Sequence, residues 1–325
     1  MQYGTVRGID KQVSRIGQGC MMLKSGEGQA ESNRILDAAW QTGIRLFDHS
    51  HIYGGGDCER AFGRWLAERG VRDELVILDK GCHPMKGEKR VSPENIRGDL
   101  AGSLERLGVE SVDLWLFHRD DPDQPVGPLV ETLNELAAEG KMKAFGGSNW
   151  THERIAEANE YAYKHGLTPL VASSPNFSLA EQVDSPWGPD CITISGPANE
   201  AARRWYAEND IAVFSWSSLA RGFLTGRIRR ANFEQVRDEF EEHTIRCYVT
   251  DDNWERVERA AELGEERGLS IAQIALAFVL HQPMNIFALV GSYSLEEAEA
   301  NLAALEARLT PEELDWLDLR RDTRA

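Results

Sequence analysis

The residues best suited to chemistry begin in the stretch Leu46-Phe47-Asp48-His49-Ser50-His51-Ile52-Tyr53-Gly54. An apolar run from Ile44 to Phe47 reads as a buried strand, and Asp48 ends it. Tyr53 follows on the next loop, beside Gly54, Gly55 and Gly56. A phenol with a pKa of about 10 is too weak an acid to protonate a carbonyl oxygen unaided. It needs a neighbouring cation. Lys80 ends the next apolar run, Val76-Ile77-Leu78-Asp79, and His118 ends the one after it, Val112 to Phe117. Asp48, Tyr53, Lys80 and His118 therefore fall at or just past successive strand ends. Charge assigns the roles. A buried Lys80 ammonium needs a counter-ion, which Asp48 supplies. The held ammonium favours the phenolate, so the Tyr53 pKa is expected to fall and the phenol to act as general acid. His118, neutral or charged, can hydrogen-bond the same carbonyl oxygen. A developing alkoxide would meet all three groups. None of them delivers hydride, so a nicotinamide is implied.

These positions require a repeating scaffold. Strands are expected at 13–19, 44–47, 75–79, 112–117, 142–146, 169–173, 211–215 and 286–290. Helical spacing follows them at 31–41, 57–69, 93–107, 126–139, 151–165, 198–209, 253–267, 270–281 and 295–305. Ser92 before Pro93 is a helix start, and Thr310-Pro311-Glu312-Glu313 opens a last helix. Alternating strands and helices imply a parallel sheet, and eight such units close most naturally as a (β/α)8 TIM barrel. Residues 2–13 read as an N-terminal hairpin. Long loops at 178–196 and 218–250 follow strands six and seven. No linker interrupts the pattern, so residues 1–325 are expected to form a single domain. The rival, a doubly wound open sheet, wants a glycine fingerprint after its first strand, and Gly17-Gln18-Gly19 lacks the third glycine. In a barrel, active sites lie at the C-terminal ends of the strands. The polar residues above cluster there, joined by Ser148, Asn149, Ser174, Trp216, Gly291 and Ser292.

A net charge of −17 argues against nucleic acid or an anionic membrane as partners. Five scattered cysteines suggest neither a disulfide framework nor a metal site. No signal pattern is evident, and no apolar run approaches ~18 residues. A cytoplasmic protein acting on a small molecule is expected, with its oligomeric state open.

This set resembles the catalytic tetrad of the aldo-keto reductases. Phe47-Asp48 through Tyr53-Gly54 is similar to the family's strand-two motif, and Asp113-Leu114-Trp115-Leu116-Phe117-His118-Arg119 to its strand-four motif. Gly146-Gly147-Ser148-Asn149-Trp150 resembles the segment whose Ser and Asn hold the nicotinamide carboxamide. Ser215-Trp216-Ser217-Ser218-Leu219-Ala220-Arg221-Gly222 resembles the segment that stacks on nicotinamide and wraps the pyrophosphate, with Trp216 as the stacker. Asn301 in Ala300-Asn301-Leu302 resembles the adenine contact. The resemblance implies NAD(P)H-dependent reduction of aldehydes or ketones, or the reverse oxidation. It favours NADP(H) and leaves NAD(H) open. Three positions depart from the pattern. Ser174 replaces the carboxamide-binding Gln, Ser218 replaces a proline, and Glu297 stands where a basic residue is common.

Two alternatives stand beside this. His49-Ser50-His51, with His83 and His118, resembles the metal cluster of barrel hydrolases, although the pair follows the second strand rather than the first. A non-catalytic, nicotinamide-binding redox sensor or subunit is the other. Trp150 reads as packing. Trp187, Asp190, Arg229, Arg230, His243 and Tyr248 on the long loops suit a sugar or other hydroxylated substrate.

Overall fold

The computed structural model describes residues 1–324. The first two strands, β1 (Tyr3–Gly4) and β2 (Val13–Ser14), pair antiparallel as a hairpin. Eight further strands run parallel and close into a barrel. They are β3 (Ile16–Gly19), β4 (Leu46–Asp48), β5 (Val76–Gly81), β6 (Val112–Phe117), β7 (Met142–Ser148), β8 (Ala172–Ser174), β9 (Ala212–Ser215) and β10 (Ile286–Val290). β10 pairs with both β9 and β3, which closes the ring.

The expected first strand at 13–19 is two strands, divided at Arg15. Its guanidinium leaves the sheet to bind Asn285 Oδ1 at 2.8 Å and the Ile286 carbonyl at 2.9 Å, and it lies 4.6 Å from the centre of the Phe287 ring. The sixth strand also sits later than the apolar run suggested, at Ala172–Ser174.

Strand alternation places the chemistry. Leu46, Val76, Leu78, Leu114 and Leu116 belong to the core inside the barrel, while Ile77 and Trp115 pack in the outer core with the helices. Side chains two residues apart share a face. Asp48 therefore continues the inward row of Leu46, Lys80 that of Val76 and Leu78, and His118 that of Leu114 and Leu116. Asp79 takes the outward register. The barrel is narrow. A Cβ at Gly146 would lie 2.0 Å from the Ala172 carbonyl oxygen, and one at Gly17 would lie 2.7 Å from Leu46 Cδ2.

The helices match their expected positions closely. α1 (Gln29–Gln41), α2 (Asp57–Arg69), α3 (Pro93–Leu107), α4 (Val126–Ala138), α5 (His152–Lys164) and α6 (Glu200–Glu208) follow strands β3 to β8 in turn. The Ser92 hydroxyl caps α3 by accepting from Asn95 N. The segment expected as loop 218–250 holds short helices, including α7 (Phe233–Val236) and α8 (Glu242–Tyr248). α9 (Asp251–Arg267), α10 (Ile271–Leu280), α11 (Leu295–Glu306) and α12 (Pro311–Leu317) complete the chain.

The 178–196 segment contains no helix or strand, yet both of its ends are tied to one buried cluster. Asn253 Oδ1 accepts from Glu181 N, and Asn253 Nδ2 donates to Glu181 O, each at 2.8 Å. Arg256 lies 3.6 Å from the Glu181 carboxylate and 3.7 Å from Asp318. At the other end Arg203 donates to the carbonyls of Ile194 and Gly196, both at 2.7 Å, and lies 3.5 Å from Asp318. No helix is long and apolar enough to cross a membrane among the described residues.

Candidate active site

Lys80 is the hub of the mouth. It is 2% exposed, and its ammonium contacts the Asp48 carboxylate directly. It also donates to the His49 carbonyl at 2.9 Å and reaches the Tyr53 hydroxyl at 3.4 Å. Burial disfavours this ammonium, but Asp48 and then Tyr53 outweigh it and hold the Lys80 pKa above the ordinary lysine value. The sequence expectation for Tyr53 needs correction. Its pKa is pushed up to about 12, because burial of the phenolate outweighs the attraction of Lys80. The phenol thus keeps its proton at neutral pH but is a weaker acid than free tyrosine. Asp79, on the opposite face, has both carboxylate oxygens buried without a hydrogen-bond partner. Burial and the nearby Glu59 push its pKa well up.

His118 is 7% exposed, and its ring stands edge-on to Tyr53, centroids 5.8 Å apart. Burial and the Lys80 charge drive its pKa well below the ordinary histidine value, so the imidazole is neutral. Its Nδ1 lies 2.8 Å from Ser50 Oγ, a contact that strand-end reasoning missed. Only the polar character of residue 50 hinted at it.

The imidazoles proposed as a metal cluster diverge. His49 packs against Phe62, centroids 4.3 Å apart, with both ring nitrogens unpartnered, and burial lowers its pKa to about 3. His51 turns to Asp99 at 3.3 Å. His83 stands against His118, centroids 4.8 Å apart. Among the described residues no group of three or more His, Cys, Asp or Glu side chains is arranged to hold a metal.

The residues expected to hold a cofactor form an arc over β7, β8, β9 and β10. Ser148 donates to the Ser174 carbonyl at 2.8 Å. The Asn149 side-chain amide donates to the His118 carbonyl and to Ser148 Oγ, both at 3.1 Å, and its oxygen accepts from Ile192 N at 3.1 Å. Ser148 and Asn149 are thus already engaged with protein, whereas Ser174 Oγ is buried with no partner. Trp216 is half-buried at the mouth, and its Nε1 is likewise unpartnered. After it, Ser217, Ala220 and Arg221 take φ values of 52°, 50° and 54°, an arrangement sparsely populated by side-chain-bearing residues. The N–H groups of Ser217 and Leu219 have no backbone partner among the described residues, and such turns make concavities for anions. Arg221 pairs with Glu241 and lies 4.7 Å from the centre of the Trp187 ring, which leans on Trp216 at 5.5 Å. On the last strand's loop, Gly291 is exposed, and Ser292 Oγ accepts from Asn301 Nδ2 at 3.2 Å. Glu297 is occupied as a cap: its carboxylate accepts from Tyr293 N at 2.7 Å, and its own N–H donates to Ser294 Oγ at 3.2 Å. The orphaned Ser174 hydroxyl, the half-buried Trp216 with its unpartnered Nε1 and the N–H groups without backbone partners fit a nicotinamide with its phosphates.

Other expectations divide. Trp150 is fully buried and stacked on Phe117 at 4.8 Å, so it is packing. Tyr248 is buried against Asn176 and Gln182, and Arg230 pairs with Asp251 at 2.8 Å. Tyr248 is therefore committed to packing, whereas the Arg230 pair is exposed.

Fold and site geometry first define a class, a (β/α)8 barrel with buried, charge-coupled polar groups at its C-terminal mouth. Sequence similarity gives the family. The family model described as "Aldo/keto reductase family" matches residues 15–319, and the chain belongs to that family of oxidoreductases. Aldo-keto reductase str7 of Strobilurus tenacellus is 30% identical, over 93% of this chain and 87% of that protein. A Bacillus subtilis protein described as the uncharacterized oxidoreductase YrpG is 27% identical, over 98% and 95%. A probable voltage-gated potassium channel subunit beta of Oryza sativa is 26% identical, over 98% and 96%.

Proposed function

We propose that the whole chain acts as one nicotinamide-dependent reductase of aldehydes or ketones, with Tyr53 as general acid. The observation that carries this reading is the buried contact of Lys80 with Asp48, the His49 carbonyl and Tyr53 Oη. In it, Asp48 keeps Lys80 charged, and Lys80 stabilises negative charge as it develops on the oxygen that Tyr53 protonates. Neutral His118 orients the same oxygen. The reduced nicotinamide supplies the hydride when bound. Trp216 would face its ring, Ser174 with Ser148 and Asn149 its carboxamide, Ser217, Leu219 and Arg221 its phosphates, and Gly291, Ser292, Glu297 and Asn301 its adenosine end. NADP(H) is favoured by family resemblance. The carboxylate of Glu297 argues for weaker discrimination than the family norm, with NAD(H) usable.

A second reading is a non-catalytic, nicotinamide-binding redox sensor or subunit, and the similarity to a probable channel subunit favours its subunit form. A panel of carbonyl substrates, followed by loss of NADPH or NADH absorbance, separates the two. Turnover on at least one carbonyl is expected. Tight cofactor binding with no turnover on any of them would sustain the second reading instead.

A further inference from the structure

We propose that Ser50 is a positioning residue that sets the tautomer of His118. Its hydroxyl donates to Nδ1, so Nε2 carries the single imidazole proton and presents it to the carbonyl oxygen. The inference rests on the reductase reading above and adds a residue to it.

A neutral imidazole has one N–H and one bare nitrogen, and the partner of one nitrogen decides the state of the other. The backbone of His118 is held in place from both sides. Its backbone N–H donates to the Gly81 carbonyl at 2.8 Å, and its carbonyl accepts from Asn149 at 3.1 Å and from Arg119 at 2.8 Å. Nδ1 has Ser50 Oγ as its partner at 2.8 Å, while Nε2 has no protein partner among the described residues. The Ser50 hydroxyl has one proton and two candidate acceptors. One is His118 Nδ1. The other is the Lys80 carbonyl at 3.2 Å, which already accepts the His51 N–H at 2.9 Å. The shorter contact to the unsatisfied nitrogen takes the proton. Ile52 N, at 3.5 Å from Oγ, approaches as a donor and occupies the acceptor side of the same hydroxyl.

The alternative assignment has a chemical cost. If Ser50 donated to Lys80 O, Nδ1 would carry the proton and Nε2 would present a lone pair to the substrate. A lone pair facing a carbonyl oxygen repels it, most strongly as that oxygen gains negative charge. With Nε2–H instead, His118 and Tyr53 form two donors converging on one oxygen. Without the Ser50 hydroxyl nothing fixes Nδ1 as the bare nitrogen.

The test uses the full chain with 15N-labelled imidazoles. Nitrogen shifts of wild-type His118 should show Nε2 protonated and Nδ1 bare and hydrogen-bonded. In Ser50→Ala both shifts should move toward a tautomer mixture. The kcat for carbonyl reduction should then fall about tenfold, the scale of one hydrogen bond, with KM and cofactor affinity nearly unchanged. Ser50→Thr, which keeps a hydroxyl, should restore both the shifts and kcat. A protonated Nδ1 in the wild type overturns the proposal even if the alanine variant fails to fold. Equal behaviour of the threonine and alanine variants overturns it as well. Absence of any carbonyl turnover would overturn the reductase reading instead, and the nitrogen shifts would still decide the tautomer.

Discussion

The two ends of the barrel are built on opposite rules. At the bottom the buried carboxylate of Asp113 is matched by two cations. Asp113 is fully buried and accepts from Arg72 at 2.8 Å and from Ile77 N at 3.0 Å, and it pairs with Lys11 at 3.0 Å. Phe214 and Phe287 stack inside the barrel at 4.9 Å, and the hairpin adds Val6, Ile9 and Val13 to the inner core. The mouth pairs Lys80 with Asp48 but leaves other groups unsatisfied. Side-chain-bearing residues with positive φ cluster after the strands, at Cys82, Asn149, Ser217, Ala220 and Arg221. Buried polar atoms on Ser174, Trp216 and Arg221 lack hydrogen-bond partners. The lesson is a division of labour. One face satisfies its own groups and supplies stability, and the other leaves groups unsatisfied for a ligand.

The sharpest way to break this comparison is to cut each face separately. Tyr53→Phe should lower carbonyl reduction by at least about 10²-fold, with melting temperature and cofactor affinity close to wild type. Lys80→Met should be comparably damaging, and adding Asp48→Asn should cost little more, since coupled residues are non-additive. Retention of a tenth of the activity in the phenylalanine variant would remove Tyr53 from its role.

Asp113→Ala tests the bottom face. Its loss should cost about 3 kcal/mol in urea unfolding, the low end for a buried pair because Lys11 and Arg72 keep some contact with water. The kcat of the folded protein should not change. A large fall in kcat would mean the two faces are not independent.

His49 lies just past the mouth strand β4 but behaves like the core. Its pKa is 6.5 when exposed and about 3 when folded. Between those values the unfolded chain binds a proton that the folded chain refuses, so stability rises with pH across the window. It is fully present above pH 6.5 and is lost as pH falls toward 3. His49→Phe removes this titration. Its melting temperature should gain on the wild type progressively from pH 7 down to pH 4. A constant gap would show His49 to be solvated in the folded state.

Two smaller effects probe the cofactor arc. Glu297→Arg should raise the NADPH-to-NADH ratio of kcat/KM about tenfold, some 1.4 kcal/mol. An unchanged ratio with a lower melting temperature would assign Glu297 to the helix cap alone. Trp216→Ala should weaken cofactor binding by about 0.5–1.5 kcal/mol and abolish the quenching of its fluorescence. Unaltered affinity would make Trp216 a packing residue like Trp150.

The scaffold was legible because buried parallel strands leave continuous apolar runs, and their ends mark the mouth. Asp48, Lys80 and His118 could be found in this way without any knowledge of distance. Arg15 hid a strand break, because an arginine between Ser14 and Ile16 does not reveal which way its side chain turns. The sign of the Tyr53 shift was missed because charge pairing shows in sequence and the depth of burial does not. Ser50 was hidden for a third reason. Its bond joins two strands' loops, and a hydroxyl between two histidines suggests metal before it suggests a tautomer. The cluster of Arg203, Arg256 and Asp318 draws on three distant segments and has no local signature.

That cluster has a consequence for engineering. Glu181 hangs from Asn253 and Arg256, Gly196 hangs from Arg203, and Asp318 lies beside both arginines, so the chain between them is a loop with fixed ends. Lengthening a loop whose ends are fixed costs little, about 0.6 kcal/mol for each doubling. Segments of other lengths and compositions can therefore be transplanted between residues 185 and 191, which keeps the Val183 bond to Cys247 and the Ile192 bond to Asn149 and changes what stands over Trp216. Any transplant must keep Asn253, Arg256, Arg203 and Asp318, and a C-terminal truncation that removes Asp318 would take the shared carboxylate from both buried arginines.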